Sequence, residues 1–187
     1  MKNIVILISG SGTNMQAIAE YFKNSTEIRV NRVISNKSAT GGLDRASKLN
    51  LPTDYIDYQN KSRKEFELDL LASVEKGEPD IIILAGFMRV LTRTFLNNVT
   101  CPILNIHPSL LPKHKGARAI ENCIDSGDKI SGISIHKVTE ELDAGPIIFQ
   151  VPILLEENES YDSLHSRIRQ LEHYYFPRVI EQFINGC

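Results

Sequence analysis

Hydrophobic positions along the chain follow two patterns, and one gives way to the other in its last third. Ile4-Val5-Ile6-Leu7-Ile8 and Ile81-Ile82-Ile83-Leu84 are unbroken apolar runs, which suit strands covered on both faces, as in a parallel sheet. Later, Ile133 and Ile135 alternate with Ser134 and His136, the mark of a strand buried on one face. A glycine-rich turn, Ser9-Gly10-Ser11-Gly12-Thr13-Asn14, follows the first run, and a helix begins near Met15. A second strand over 28–34 is followed by Gly41-Gly42 and a helix through Leu43, Ala46 and Leu49, after which Pro52 admits a short third strand near Tyr55-Ile56. Ser62 is placed to cap a helix over 63–76, with Phe66, Leu70, Leu71 and Val74 as its apolar stripe and Gly77 at its end. The strand 80–84 opens into Ala85-Gly86-Phe87-Met88-Arg89-Val90-Leu91, and the segment from Cys101 leads into Asn105-Ile106-His107-Pro108. A helix over 117–125 comes next. The turn Asp143-Ala144-Gly145-Pro146 then sends the chain back as a strand over 147–152, and a helix over 160–184 packs Leu164, Ile168, Leu171, Tyr175, Val179 and Phe183. Alternating strands and helices with a late hairpin predict an α/β fold whose central sheet is mostly parallel, with antiparallel strands at one edge.

Composition narrows the function. At 187 residues and 42% hydrophobic, the chain is sized for one domain, 1–187, with a single large core. A net charge of −2 with 24% charged residues and no long basic block gives no reason to expect nucleic acid or membrane as partner. A small-molecule substrate is expected. Cys101, Cys123 and Cys187 are odd in number and form no C-x-x-C arrangement, which argues against a disulfide framework or structural zinc and for the reducing cytoplasm. The first apolar run is too short to span a membrane and has no cleavage region after it. The pattern carries no signal for a particular oligomeric state.

Two stretches carry chemistry. Glycines before a helix let the backbone approach a ligand, and the free N–H groups at the helix start attract an anion such as phosphate. A dinucleotide fingerprint would need a third glycine where Met15 stands and an acidic residue near Ser35-Asn36, so NAD is not expected; a turn that only reverses the chain is the alternative. Asn105 and His107 point to one side of a strand end while Leu104 and Ile106 anchor the other. They read either as a polar pair satisfied by backbone or as an oxyanion donor beside a proton carrier. Asp143, in its tight turn, is the candidate carboxylate for the imidazole. No Ser or Cys is placed as a nucleophile, since Ser109 belongs to the exit turn Ser109-Leu110-Leu111-Pro112; direct transfer between two bound substrates follows. His107, His114 and His136 lack the paired spacing of a metal site. The 85–91 loop is either a ligand pocket or a local apolar cluster.

Taken together, Ser9 to Asn14, Leu84 to Arg89, Asn105 to Pro112 and Leu142 to Pro146 closely resemble the phosphoribosylglycinamide formyltransferase family of folate-dependent enzymes, over essentially the whole chain. The resemblance implies a Rossmann-like three-layer fold and a single catalytic domain. It implies transfer of a formyl group from 10-formyltetrahydrofolate, as cosubstrate, to the amine of glycinamide ribonucleotide in purine biosynthesis, through a tetrahedral intermediate and without a metal. By the same resemblance Gly12, Thr13 and Asn14 cradle the ribonucleotide phosphate and Glu172 holds the ribonucleotide. Asn105 donates to the oxyanion, His107 moves the proton and Asp143 keeps His107 charged. The folate lies against Met88, Arg89, Val90, Leu91, Asn105 and the loop Val138, Thr139, Glu140, Glu141, Leu142, Asp143, with Arg63 near its tail. His114-Lys115-Gly116-Ala117-Arg118 departs from the family pattern and is expected to make no substrate contact beyond a possible mobile loop, and many relatives continue past Asn185-Gly186-Cys187 with another short element. A methionyl-tRNA formyltransferase is expected to add a carboxyl-terminal RNA-binding domain and basic charge, and a formyltetrahydrofolate hydrolase an amino-terminal regulatory domain. A non-catalytic nucleotide-binding module would explain the glycine turn alone.

Overall fold

The unbroken runs become the middle of a seven-stranded sheet in a computed structural model that describes residues 1–186. The strands are β1 (Lys2–Ile8), β2 (Ile28–Ser35), β3 (Thr53–Tyr55), β4 (Ile81–Leu84), β5 (Ile103–His107), β6 (Ile130–Lys137) and β7 (Ile147–Leu154). Their spatial order is β3-β2-β1-β4-β5-β6-β7. The first five are parallel, and β6 and β7 are antiparallel to their neighbours. The helices are α1 (Thr13–Phe22), α2 (Gly42–Lys48), α3 (Arg63–Glu75), α4 (Arg93–Leu96), α5 (Ala119–Asp125) and α6 (Tyr161–Asn185).

β1 shows why its run is continuous. Ile4, Ile6 and Ile8 pack with Met15 and Ile18 of α1, Ile120 of α5 and Leu164 and Ile168 of α6, whereas Val5 and Leu7 pack with Phe66 and Leu70 of α3 and Phe95 of α4. Both faces are covered, so the sheet is the middle of three layers and the α/β Rossmann-like expectation holds. Each fully buried side chain of this kind contributes about 1.5–3 kcal/mol.

Differences from the expected elements have local causes. α1 starts at Thr13 because Gly12 takes the left-handed conformation (φ 73°) and turns the chain directly into the helix, without a side-chain cap. α5 starts at Ala119 after Arg118 leaves the helical region (ψ 34°). α4 was not expected; its four residues are started by Thr92, whose hydroxyl accepts from the Thr94 N–H. Ser62 does cap α3, in a reciprocal pair with Glu65. Cys101 and Cys123 are free thiols; the expectation for Cys187 falls outside the described residues. No helix among the described residues is long and apolar enough to cross a membrane.

Candidate active site

Period-two alternation and the antiparallel partner of β5 assemble the polar centre. Leu104 and Ile106 enter the core layer with Ile133 and Ile135, so Asn105 and His107 face the other way. Across the ladder Asn105 pairs with His136. Pro108 ends the strand, and the chain continues as a strap held to β6. Ser134 Oγ donates to the Ser109 carbonyl (2.6 Å) and accepts from the Leu111 N–H (2.9 Å), and Ser109 Oγ donates to the Lys113 carbonyl (2.6 Å). The strap brings the His114 carbonyl to 2.8 Å from His107 Nε2 and the Gly116 N–H to 2.9 Å from Asp143 Oδ2. The segment, expected to make no substrate contact beyond a possible mobile loop, frames the cavity, with Gly116 and Ala117 on its wall. Sequence reasoning missed His114 and Gly116 because they act through backbone atoms.

The hydrogen bonds fix most of the protons. A carbonyl only accepts, so His107 Nε2 carries a hydrogen and Nδ1 is left facing Asp143 Oδ2 at 3.4 Å. His136 Nδ1 likewise donates to the Lys137 carbonyl at 3.0 Å, so in the neutral ring Nε2 accepts from Asn105 Nδ2 at 3.1 Å. The second hydrogen of that amide reaches Asp143 Oδ1 across a longer 3.4 Å. Burial lowers the His107 pKa, outweighing the His114 carbonyl and the Asp143 charge that raise it. Asp143 thus pulls the imidazole in the expected direction without prevailing. Burial raises the Asp143 carboxyl, yet His136, the Gly116 N–H and His107 together hold it below the usual carboxylate value. Asp143 also sits at φ 48°, a left-handed position that costs a non-glycine residue energy and is found at sites of constrained geometry. His136 is a third residue that sequence reasoning left out of the centre. Its alternation with Ile135 was the available signal, but the register opposite Asn105 was not readable.

The polar centre opens into a cavity of about 250 Å³ at the carboxyl ends of β4 and β5, where open α/β sheets take their ligands. Met88, Val90 and Leu142 stand large and exposed on its rim, while Arg89, Leu91, Val138, Thr139, Glu141, Asn105, His107 and Asp143 complete the predicted lining. Two predicted folate contacts stand off this wall. Arg63 donates to the Val90 carbonyl (2.5 Å), and Glu140 pairs with Arg93 (2.6 Å). The end of the 85–91 loop is tied by buried Glu67, which accepts from the Thr92 N–H (2.8 Å) and hydroxyl. The chain can approach this closely at the far side only because Gly145 has no side chain; a Cβ there would meet the Lys137 carbonyl oxygen at 1.8 Å.

The glycine turn lies at the neighbouring strand end and is built from backbone. A Cβ on Gly42 would come within 2.5 Å of the Gly10 carbonyl oxygen, so the turn after β1 and the start of α2 press together. Asn14 donates to Glu172 Oε2 (2.9 Å) from α6, and its own Oδ1 is buried without a partner. Burial raises the Glu172 carboxyl above the ordinary glutamate range, against the Asn14 hydrogen bond and the Arg169 charge. Ser9 joins this turn to the cavity: its hydroxyl donates to Asn36 Oδ1 (2.6 Å) and accepts from the Met88 N–H (2.8 Å).

A glycine turn at an uncapped helix start, an amide donor and a carboxylate-flanked imidazole thus lie around one apolar-rimmed cavity. The profile of the formyl transferase family matches residues 2–180, and the chain belongs to that family. Within it, the chain is 39% identical to the phosphoribosylglycinamide formyltransferase of Escherichia coli (strain K12), over 98% of this chain and 88% of that one. It is 36% identical to the Haemophilus influenzae enzyme of the same name, over 100% and 89%. The crystal structure of glycinamide ribonucleotide transformylase 1 from Symbiobacterium toebii superposes with a TM-score of 0.94 at 36% identity, covering 100% of this chain and 89% of that chain.

Proposed function

We propose that the chain transfers the formyl group of 10-formyltetrahydrofolate to the amine of glycinamide ribonucleotide in purine biosynthesis, with residues 1–187 acting as one catalytic domain in the cytoplasm. The observation that carries this reading is the meeting of Asn105, His107 and Asp143 on the cavity wall, one strand end away from a turn whose helix has no side-chain cap. Free N–H groups at Gly12, Thr13 and Asn14 suit the phosphate, with Glu172 holding Asn14 toward the ribonucleotide. The exposed rim of Met88, Val90 and Leu142 suits a flat, partly apolar folate ring system. Arg89, Leu91, Val138, Thr139 and Glu141 complete that subsite, and Arg63 and Glu140 act at its edge.

In this mechanism the amine attacks the formyl carbon, forming a C–N bond while the carbonyl oxygen gains negative charge. Asn105 donates to that oxygen by releasing its longer hydrogen bond to Asp143, the weaker of the two its amide makes. Removal of such a donor costs roughly 10²–10³ in rate. His107 takes the amine proton at Nδ1, becomes an imidazolium steadied by Asp143, and returns the proton to the folate nitrogen as its bond to the formyl carbon breaks. The sum is one proton moved and no covalent enzyme intermediate, in keeping with a cavity lining that holds neither Ser nor Cys. His136 accepts from Asn105 and so aims the amide.

The test is a formyl-transfer assay with purified protein, 10-formyltetrahydrofolate and glycinamide ribonucleotide, with initiator methionyl-tRNA in a parallel reaction. Turnover with the ribonucleotide alone is expected. Absence of turnover when both ligands bind, or turnover only with the tRNA, overturns the reading.

A further inference from the structure

Outside the transfer centre, three unlike ligand types converge under the strap. His114 comes from the strap, Cys123 from the buried face of α5, and Asp128 from the turn after that helix. One ring nitrogen, the thiol sulfur and one carboxylate oxygen all lie within 4.8 Å of one another. The thiol is fully buried, whereas the His114 and Asp128 side chains keep 16% and 22% of their exposure, so the cluster is closed behind and reachable from solvent in front. His114 Nε2 and Asp128 Oδ2 are already 2.8 Å apart. His114 is moreover held in the left-handed region (φ 52°), a conformation disfavoured for a non-glycine residue.

We propose that His114, Cys123 and Asp128 form a binding site for a borderline-soft divalent cation of the zinc class, with water or an anion as fourth ligand. Mixed nitrogen, sulfur and oxygen donors suit such an ion better than magnesium or calcium, which take oxygen. Tetrahedral zinc holds these donors at about 2.0–2.3 Å from the metal, hence on the order of 3.5 Å from each other. The His114 to Asp128 contact, now 2.8 Å, has to open by roughly 0.7 Å to admit it. Lys113 Nζ, 3.0 Å from Asp128 Oδ1, has to leave; its side chain is 64% exposed and free to swing into solvent. Binding replaces the Cys123 S–H by a metal–sulfur bond and releases that proton to water.

The site has a stake in the rest of the molecule because the backbone of the same histidine supports His107. Its carbonyl accepts from His107 Nε2, and Gly116 two residues on donates to Asp143. An ion clipping the His114 ring to α5 therefore fixes the strap from beneath. The histidine spacing weighed from sequence joined His114 to His107 and His136, which lie at the transfer centre, and so missed partners that are not histidines.

Cobalt(II) is the probe, titrated into full-length, chelator-treated protein, with zinc as competitor. The expected result is one equivalent bound with a thiolate-to-cobalt absorption band and tetrahedral visible bands, both abolished by zinc. Cys123→Ala should remove the thiolate band and weaken binding about tenfold or more; Asp128→Asn should weaken binding and keep the band. Both variants are checked for wild-type circular dichroism and formyl transfer without metal. Zinc should also slow hydrogen exchange at the Gly116 amide in the wild type only. An unchanged band in Cys123→Ala, or no band with folded wild-type protein, overturns the proposal.

Discussion

The glycine turn follows β1 and the His107 centre ends β5, with β4 between them, and the two are built on opposite principles. The turn is contiguous, and the chemistry proposed for it belongs to the backbone N–H groups of Gly12, Thr13 and Asn14; what it demands of side chains is chiefly their absence, at Gly12 and Gly42. The centre is dispersed. Its side chains come from β5, β6 and the 138–146 loop, and the strap completes it with two backbone atoms. The turn should therefore fail when atoms are added, in binding, and the centre when atoms are removed, in turnover.

The sharpest break in that contrast is His107→Ala. Loss of a proton carrier is expected to lower kcat by roughly 10²–10⁴, with ribonucleotide affinity by calorimetry left close to wild type; a pure affinity defect would erase the distinction. Next in size is Gly42→Ala, which places a Cβ 2.5 Å from the Gly10 carbonyl oxygen. Overpacking of this kind costs about 1–3 kcal/mol, so the ribonucleotide KM should rise on the order of tenfold with kcat nearly unchanged. Steady-state kinetics with the ribonucleotide varied separates the two, and a kcat effect alone would contradict the assignment of the turn to binding. His136→Phe leaves one Asn105 N–H without its acceptor, a loss of about 1–3 kcal/mol if unmet, so kcat should drop on the order of tenfold while His136→Gln recovers part of it.

The smallest effect concerns stability. Because burial holds the folded Glu172 pKa above its ordinary value, the folded state keeps a proton that the unfolded chain has released. Stability thus falls as pH rises from the ordinary glutamate pKa of about 4.3 through the raised value. Glu172→Gln removes that loss. Without ligand its melting temperature should exceed wild type at neutral pH, on the order of 2 °C in a chain of this size, and match it near pH 4. Equal melting temperatures at both pH values would refute it.

The same contrast explains what could be read from sequence. Apolar periodicity is local, so β1, β4, α3 and α6 were legible to within a few residues, and the glycine turn announces itself in six consecutive positions. Asn105 and His107 were visible as a pair because alternation along one strand is also local. The centre around them was not. His136 enters through the register of an antiparallel pair, and His114 and Gly116 contribute backbone atoms, for which side-chain identity is no guide. Glu67 carries no local signal either: what sets it apart is the loop ending at Thr92, which folds onto it.

Ser9 gives the two regions a common hinge pin. One hydroxyl, in a side chain that is 2% exposed, holds Asn36 beside the glycine turn and the Met88 amide at the cavity rim. A substrate at either place therefore meets a backbone element that the same hydroxyl ties to the other. The two subsites are then linked through the protein, in addition to the contact the substrates make with each other. By reciprocity, whatever factor one substrate contributes to the affinity for the other is returned in equal measure, whichever arrives first.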